Sequence, residues 1–252
     1  MSISRRRLIG SIGAGAGSLI LSGCDRIAAS PLVQSCLHQG ERLTRTAQRL
    51  VTDRNALARE FSASDMSPIF RTNGNFMPAS EAYAIHATQG FAHWHLRVDG
   101  LVRQPLSLSL RAIRALPART QITRHDCVEG WSAIGKWTGL PLALILQAAK
   151  PMPRARYVVF HCADDFDGAA YYESIDFIDA YHPQTILAWA MNDQILSVDH
   201  GAPLRLRVER QLGYKQAKFV MRVELVESLD GIGGGKGGYW EDSAGYQWYA
   251  GI

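Results

Sequence analysis

Arg124-His125-Asp126-Cys127-Val128-Glu129-Gly130-Trp131-Ser132, continued by Trp137-Thr138-Gly139-Leu140-Pro141-Leu142, is the stretch on which the reading of this chain turns. It places a single cysteine beside an Arg-His pair. A thiolate is a soft, polarisable ligand suited to a transition metal, and nearby positive charge favours the thiolate over the thiol. Arg124 and His125 are therefore expected to help keep Cys127 deprotonated. The competing reading is a disulfide from Cys127 to Cys162 or Cys36, and composition alone leaves the two open.

The cysteines are Cys24, Cys36, Cys127 and Cys162. Their spacing excludes a C-x-x-C zinc site. If Cys24 is modified, three remain, so at least one is left as a thiol, a metal ligand or a buried hydrophobe.

Cys24 sits in an address segment. Ser4-Arg5-Arg6-Arg7-Leu8-Ile9-Gly10 leads into an apolar Gly/Ala-rich stretch from Ser11 to Leu21, the charged and apolar regions of a bacterial export signal. The paired arginines resemble a twin-arginine signal, which implies the twin-arginine translocase as a partner. The apolar run is too short for a permanent span, which needs roughly 20 residues. Leu21-Ser22-Gly23-Cys24 looks like a lipobox, so Cys24 is expected to carry acyl chains and anchor the protein at the periplasmic face of the inner membrane, with Asp25 resembling a retention signal. The expected division is a signal over 1–23, an anchor region and amphipathic helix over 24–67, and one catalytic domain over 68–252.

The 252 residues, 47% hydrophobic and 20% charged, suit an ordinary globular protein with a real core. Without Arg5, Arg6 and Arg7, the balance of 27 basic and 23 acidic residues falls from +4 to +1. No block of like charge supplies the footprint that nucleic acid requires, and that class is excluded.

Between Leu37 and Phe61, apolar residues recur at three- and four-residue steps (Leu43, Ala47, Leu50, Val51, Leu57), which predicts an amphipathic helix. Strands are expected at His93–Val98, Gln121–Arg124, Tyr157–Cys162, Leu204–Val208 and Phe219–Val226, and helices at Leu140–Ala149 and Ile175–Tyr181. Alternation without a strict βαβ rhythm predicts an α+β fold with mixed β-sheets and flanking helices. The run Gly231–Gly238 formally satisfies G-x-G-x-x-G through Gly233, Gly235 and Gly238, but Tyr239-Trp240 follows where a dinucleotide site needs its helix, so the run reads as a flexible loop. His93 and His95 share one face of a strand, as a two-histidine metal site would want, yet no third ligand is placed. They read as sheet residues.

The cysteine segment resembles that of the sulfite oxidase family, above all its bacterial branch, where Cys-Val-Glu-x-Trp-Ser precedes Trp-x-Gly-x-Pro-Leu. The resemblance implies a molybdenum-molybdopterin cofactor with Cys127 as metal ligand, and a pocket shaped by Arg124, Glu129 and Tyr171. Tyr171 is reached by counting back from Ser174-Ile175 in the strand that carries the family's active-site Tyr; read alone, it is a half-buried strand aromatic. His200-Gly201-Ala202-Pro203-Leu204-Arg205 and Leu212-Gly213-Tyr214-Lys215-Gln216-Ala217-Lys218 are similar to the region that holds the pterin's anionic end. Arg205 and Lys218 offer a guanidinium fork and an ammonium charge suited to phosphate, with His200, Gln216 and Ala217 beside them. Phe70–Pro78 is similar to the first cofactor segment, which implies contacts from Asn73, Phe76 and Met77. Vertebrate-type members have Arg before that Asn and His after it, where this chain has Thr72 and Gly74, so a sulfite pocket of that kind is not implied. Tyr157–Cys162 resembles a further cofactor strand, with Cys162 as contact or packing residue, and the segment around Tyr239-Trp240-Glu241 and Tyr246 is similar to the family's ending.

The implied activity is two-electron oxygen-atom transfer on a small oxyanion, S-oxide or N-oxide, with the direction open. No C-x-x-C-H haem motif occurs, so a separate cytochrome b or c is the expected electron partner. A monomer is the default. The reading from another class is an anchored binding or scaffold protein that keeps the fold without molybdenum.

Overall fold

The computed structural model describes Ile27 and residues 30–252. The export signal and Cys24 lie outside the described residues. Two compact units result, one ending at Val51 and one spanning Thr52–Ile252.

The first unit contributes α1 (Pro31–Val51), whose first turn is capped where the Ser30 hydroxyl accepts from the Val33 N–H at 3.4 Å. The predicted helix ran on to Phe61, and this is corrected. Beyond Val51 the Asp53 carboxylate accepts the Asn55 N–H at 2.7 Å, a local turn that competes with helix. Residues 56–61 then run extended, and the Phe61 N–H reaches the Ile122 carbonyl at 2.9 Å. No helix among the described residues is long and apolar enough to cross a membrane.

The second unit contains, in chain order, α2 (Glu81–Thr88), β1 (His95–Gly100), β2 (Leu106–Ser109), α3 (Leu110–Arg114), β3 (Arg119–Cys127), β4 (Trp131–Pro141), α4 (Leu142–Ala149), β5 (Tyr157–Phe166), β6 (Ala169–Asp176), α5 (Phe177–Ala180), β7 (Ile186–Met191), β8 (Gln194–Ile195), β9 (Arg205–Arg207), β10 (Val220–Val226) and α6 (Tyr239–Ala244). This is an α+β fold with two sheets. The first has the order β2-β1-β10-β5-β6 and is mixed, because β1 and β10 run parallel while the other neighbours are antiparallel. The second has the order β3-β4-β7-β8, with β9 also paired to β7.

Side-chain alternation sets what each face buries. Leu187 of β7 and Leu206 of β9 point to the main core, where they join Leu96, Val98, Phe160 and Val223 of the first sheet. Their neighbours Ile186 and Ala188 point the other way, to a smaller cluster with Phe70, Ala133 and Trp137. Ala188 pairs with Arg205 and Ile186 with Arg207, so both arginines are delivered to this second face. Gly139 marks a register shift between β4 and β7, where a side chain would meet the Leu187 carbonyl oxygen at 2.4 Å. Gly231–Gly238 is a loop, as its sequence suggests, and it is held at two points. The N–H groups of Gly234 and Lys236 donate to Asp242 at 2.7 and 3.0 Å, which wraps the run around the first turns of α6.

Candidate active site

The second sheet brings its chemistry to one face. Gln121, Thr123, His125 and Cys127 alternate along β3 toward the smaller cluster, and Cys127 pairs with Trp131 at the mouth of the β3–β4 hairpin. Across β4, Trp137 lies under both buried arginines, 5.3 Å from Arg205 and 4.3 Å from Arg207. Arg207 is neutralised by a two-pronged pair with Glu209, at 2.9 and 2.6 Å. Arg205 has no carboxylate. It donates to the Asn73 amide oxygen at 2.9 Å and, at 3.4 Å, to the His200 carbonyl, and its Nε has no partner. Burial, then Arg207, lowers its pKa to about 9.

Lys218 ties down the loop that carries Asn73. Its ammonium donates to the carbonyl oxygens of Asn73 at 2.8 Å, Asn75 at 2.5 Å and Asp199 at 2.6 Å. Burial and then Arg205 lower its pKa to about 7. Two cations are thus held in unfavourable surroundings at one wall, the environment that an anion relieves.

Lys218 and Asn73 line a cleft of about 670 Å³, part of it open to solvent, while Arg205 is fully buried and reaches the lining through Asn73. Asn73, Cys127, Glu129, Tyr171, Gln216 and Lys218, all expected from sequence, line it. The Tyr171 phenol donates to the Tyr214 carbonyl at 2.8 Å, and burial raises its pKa. Glu129 accepts from the Trp131 indole at 2.9 Å. Gln216 places its amide oxygen 3.2 Å from His125 Nδ1 and donates to the Gln211 carbonyl at 3.1 Å.

The disulfide reading and the roles of Arg124 and His125 need correction, and other expected residues lie away from the cleft lining. Cys127, Cys162 and Cys36 are free thiols, so the disulfide reading fails. Arg124 alternates to the opposite face from Cys127, pairs with Asp126 at 2.9 Å and keeps a side chain 56% exposed. His125 is fully buried and its pKa is lowered, chiefly by burial and next by Arg205 and Arg207. His125 Nδ1 lies between the Arg207 guanidinium at 3.0 Å and the Gln216 amide oxygen at 3.2 Å, while Nε2 has no partner. Neither residue supplies the charge expected beside the sulfur. Burial pushes the Cys127 thiol up; a backbone hydrogen bond from Glu129 opposes this, the Glu129 carboxylate's charge adds to it, and the Arg205 charge opposes it. Phe76 and Met77 stand 68% and 53% exposed, outside the cleft lining. Cys162 packs against the main core and Ala217 is buried, its carbonyl accepting from the Leu206 N–H at 2.8 Å. His200 is partly buried, with its ring edge-on to Phe70 at 5.9 Å. His93 and His95 are exposed, and no metal-ready cluster of His, Cys, Asp and Glu occurs among the described residues.

Sequence reading passed over Arg207, Glu209, Asp164 and the aromatic wall of Phe166, Tyr214, Trp240 and Tyr246. The signal for Arg207 was present: two arginines two apart in a strand share a face. Asp164 lines the cleft with one oxygen unpartnered, and burial raises it to about 6. It gave no sequence signal, because a carboxyl at a strand end reads as solvated.

A free thiol, the Lys218 cation and the loop of Asn73 line one cleft, with the Arg205 cation buried behind Asn73, a set that suits an anionic ligand with a soft-ligand site beside it. Residues 83–230 match the oxidoreductase molybdopterin binding domain, and the chain belongs to that family. It is 37% identical to the putative protein-methionine-sulfoxide reductase subunit YedZ1 of Azospira oryzae, over 93% of this chain and 83% of that protein. It is 32% identical to the protein-methionine-sulfoxide reductase catalytic subunit MsrP of Gluconobacter oxydans, over 90% of this chain and 70% of the other. The sulfane dehydrogenase SoxCD of Paracoccus pantotrophus aligns over 54% of this chain and 39% of its own, at 21% identity and a TM-score of 0.49. The protein is therefore an oxidoreductase of the molybdopterin class.

The residues present fit that cofactor. Lys218 is a cation on the cleft wall, Arg205 is a buried cation behind Asn73 with an unpartnered Nε and no carboxylate, both of which suit an anionic ligand, and Cys127 offers a soft donor in the cleft lining.

Proposed function

We propose that this chain is the catalytic subunit of an exported, membrane-associated reductase of S-oxides, with methionine sulfoxide as substrate class. Cys127 would ligate the molybdenum, and Arg205, Asn73, Gln216 and Lys218 would hold the pterin and its phosphate. When bound, the cofactor supplies the two-electron exchange of an oxygen atom. The balance is one sulfoxide, two protons and two electrons giving one thioether and one water. The electrons come from a separate carrier, for which a cytochrome b or c is the class.

The protein's share is orientation, polarity and access. Arg205 supplies positive charge toward Cys127. Lys218 fixes the loop that presents Asn73. Tyr171 offers a phenol at the cleft wall whose proton is parked on the Tyr214 carbonyl and becomes available to a substrate oxygen when that bond is exchanged.

The observation that carries the S-oxide reading is the lining of the cleft around Cys127. Val128, Phe166, Trp240 and Tyr246 are apolar, Glu129 and Asp164 are acidic, and the exposed Arg124 turns away. With Lys218 and Arg205 taken up by the cofactor's anionic end, the part of the wall near Cys127 suits a neutral thioether oxide, whose methyl and methylene groups pack on aromatic rings. The twin-arginine and lipobox-like residues of the N-terminus support export and anchoring.

The test is molybdenum and pterin content of protein from a molybdenum-replete bacterial host, wild type beside Cys127→Ser. It is followed by turnover of methionine sulfoxide with a reduced dye and of sulfite with an oxidised one. Stoichiometric metal with sulfoxide turnover is expected. A folded, metal-free wild type would overturn the reading, and sulfite turnover alone would reverse the assigned direction.

A further inference from the structure

Glu173, Lys215 and Glu241 form an ion cluster that the chemistry above does not use. All three side chains are fully buried. The Lys215 ammonium donates to Glu173 Oε1 and, at 2.6 Å, to Glu241 Oε1. Glu173 Oε1 also accepts its neighbour Ser174's N–H at 2.6 Å. Gly238 packs so closely on both carboxyls that a side chain there would lie 2.1 Å from Glu241 Oε2 and 2.8 Å from Glu173 Oε1.

Two carboxylates on one ammonium leave a net negative charge in a dry interior, which is strongly disfavoured. Glu173 Oε2 and Glu241 Oε2 have no hydrogen-bond partner. The other groups bearing on the cluster relieve nothing. Tyr171 is buried and Cys162 half-buried, both uncharged, and each feels Glu173, while Asp164 acts on both with its own negative charge. Burial pushes Glu173 up; Lys215 opposes and Glu241 adds. Lys215 stays charged, because its two carboxyl partners outweigh its burial.

The cluster is also placed to act on the cleft. Glu173 lies two residues from Tyr171 on β6 and on the same face, and Lys215 follows Tyr214. The Tyr171–Tyr214 hydrogen bond and the Glu173–Lys215 ion pair are therefore successive rungs between the same two segments. Glu241 ties in α6, whose Trp240 lines the cleft.

We propose that Glu173 and Glu241 share one proton over Lys215, and that this protonated cluster is the positioning element for the cleft wall formed by Tyr171, Tyr214 and Trp240. Its proton is retained through turnover. When the proton leaves, the excess charge pushes β6 and α6 apart, and Tyr171 loses its alignment on Tyr214.

Infrared spectroscopy of the full chain at about pH 8, where ordinary carboxyls are ionised, tests the proton without any cofactor. A protonated-carboxyl C=O band, shifted in D2O, is expected in wild type and lost in both Glu173→Gln and Glu241→Gln. Each amide leaves a neutral ion pair with Lys215. A wild type without the band, or a band surviving in both variants, overturns the shared proton. The wall-positioning arm rests on the sulfoxide reductase reading and is read in the loaded enzyme. The KM for methionine sulfoxide is expected to rise at alkaline pH in wild type, to lose that rise in Glu173→Gln, and to be raised at every pH in Glu173→Ala. Identical KM–pH curves for wild type and Glu173→Gln would overturn positioning. Absent turnover with the infrared band intact would count against the activity and not the cluster.

Discussion

Arg205 Nη2 donates to Asn73 Oδ1 at 2.9 Å and joins, at the cleft wall, two segments 132 residues apart. A fully buried guanidinium held by neutral acceptors alone is a destabilising choice for the empty domain and a favourable one for binding an anion. Arg205→Met is therefore expected to act with opposite signs. Cofactor affinity falls by about 10–100-fold, the size of a lost charge-assisted hydrogen bond. The Tm of the cofactor-free protein does not fall. Pterin content and calorimetry on the two forms check it, and a large Tm loss in the empty protein would mark Arg205 as structural.

Burial holds the Cys127 thiol above its ordinary range; backbone hydrogen bonds from Glu129 and Val128 and the charge of Arg205 pull it down, and the charge of the Glu129 carboxylate pushes it up. In the cofactor-free protein, alkylation of Cys127 at neutral pH is expected to be slower than that of a free thiol and to accelerate as pH rises. Glu129→Gln removes an opposing charge and should speed it. The assay uses a Cys36→Ser background, since Cys36 is an exposed free thiol. Equal rates with and without Glu129 would show that the carboxylate does not act on the sulfur.

Lys218, depressed to about 7 from 10.5, is a cation disfavoured by folding. Between these values the unfolded chain binds more protons, so Lys218 makes the cofactor-free protein more stable as pH rises through the window. An anion at the cleft restores the proton. Inorganic pyrophosphate is thus expected to bind with proton uptake near neutral pH and more weakly above it. Calorimetric titrations in buffers of different ionisation heat measure this, and Lys218→Met should abolish the uptake.

Tyr171 can be tested apart from the fold. Its hydroxyl makes one neutral hydrogen bond, to the Tyr214 carbonyl, so Tyr171→Phe should cost about 1 kcal/mol of stability. If the phenol serves the substrate oxygen, kcat for sulfoxide falls by roughly 10–100-fold with a small change in KM. A fall in Tm with kcat intact would return Tyr171 to the half-buried aromatic reading.

Sequence reading located the cleft better than it explained it. Cys127, Asn73, Arg205 and Lys218 were legible because each sits in a local motif, and β1, β3, β5 and β10 because their apolar residues alternate or run together. β4, which carries Trp131 and Trp137, was not read as a strand, since glycines and polar residues interrupt its alternation. Glu209, Lys215 and Glu241 were illegible for a different reason. A charged residue in sequence reads as surface, and their burial depends on partners from distant segments, as Lys215 finds Glu173 42 residues away. Arg124 was misread by the same gap. Adjacency to Cys127 in sequence suggested proximity, whereas strand alternation turns it to the other side.

Gly213 supplies the last prediction. It opens the 3-10 turn Gly213–Lys215 and lies against the His125 ring, where a Cβ would sit 2.5 Å from Cε1 and Nε2. The ring cannot retreat easily, being fully buried with Arg207 on its other nitrogen. Gly213→Ala must therefore displace the turn, and with it Tyr214, whose carbonyl receives the Tyr171 phenol. Overpacking of this kind costs about 1–3 kcal/mol. Gly168→Ala is the control, with φ +82° and nothing within 4 Å, so it carries only backbone strain of about 1–2 kcal/mol. Both variants should lose a few degrees of Tm, but only Gly213→Ala should also lose cofactor content, because only it moves the cleft wall. Equal cofactor retention in the two would mean that the turn yields without carrying Tyr214 along, and the rigidity assigned to that wall would fall with it.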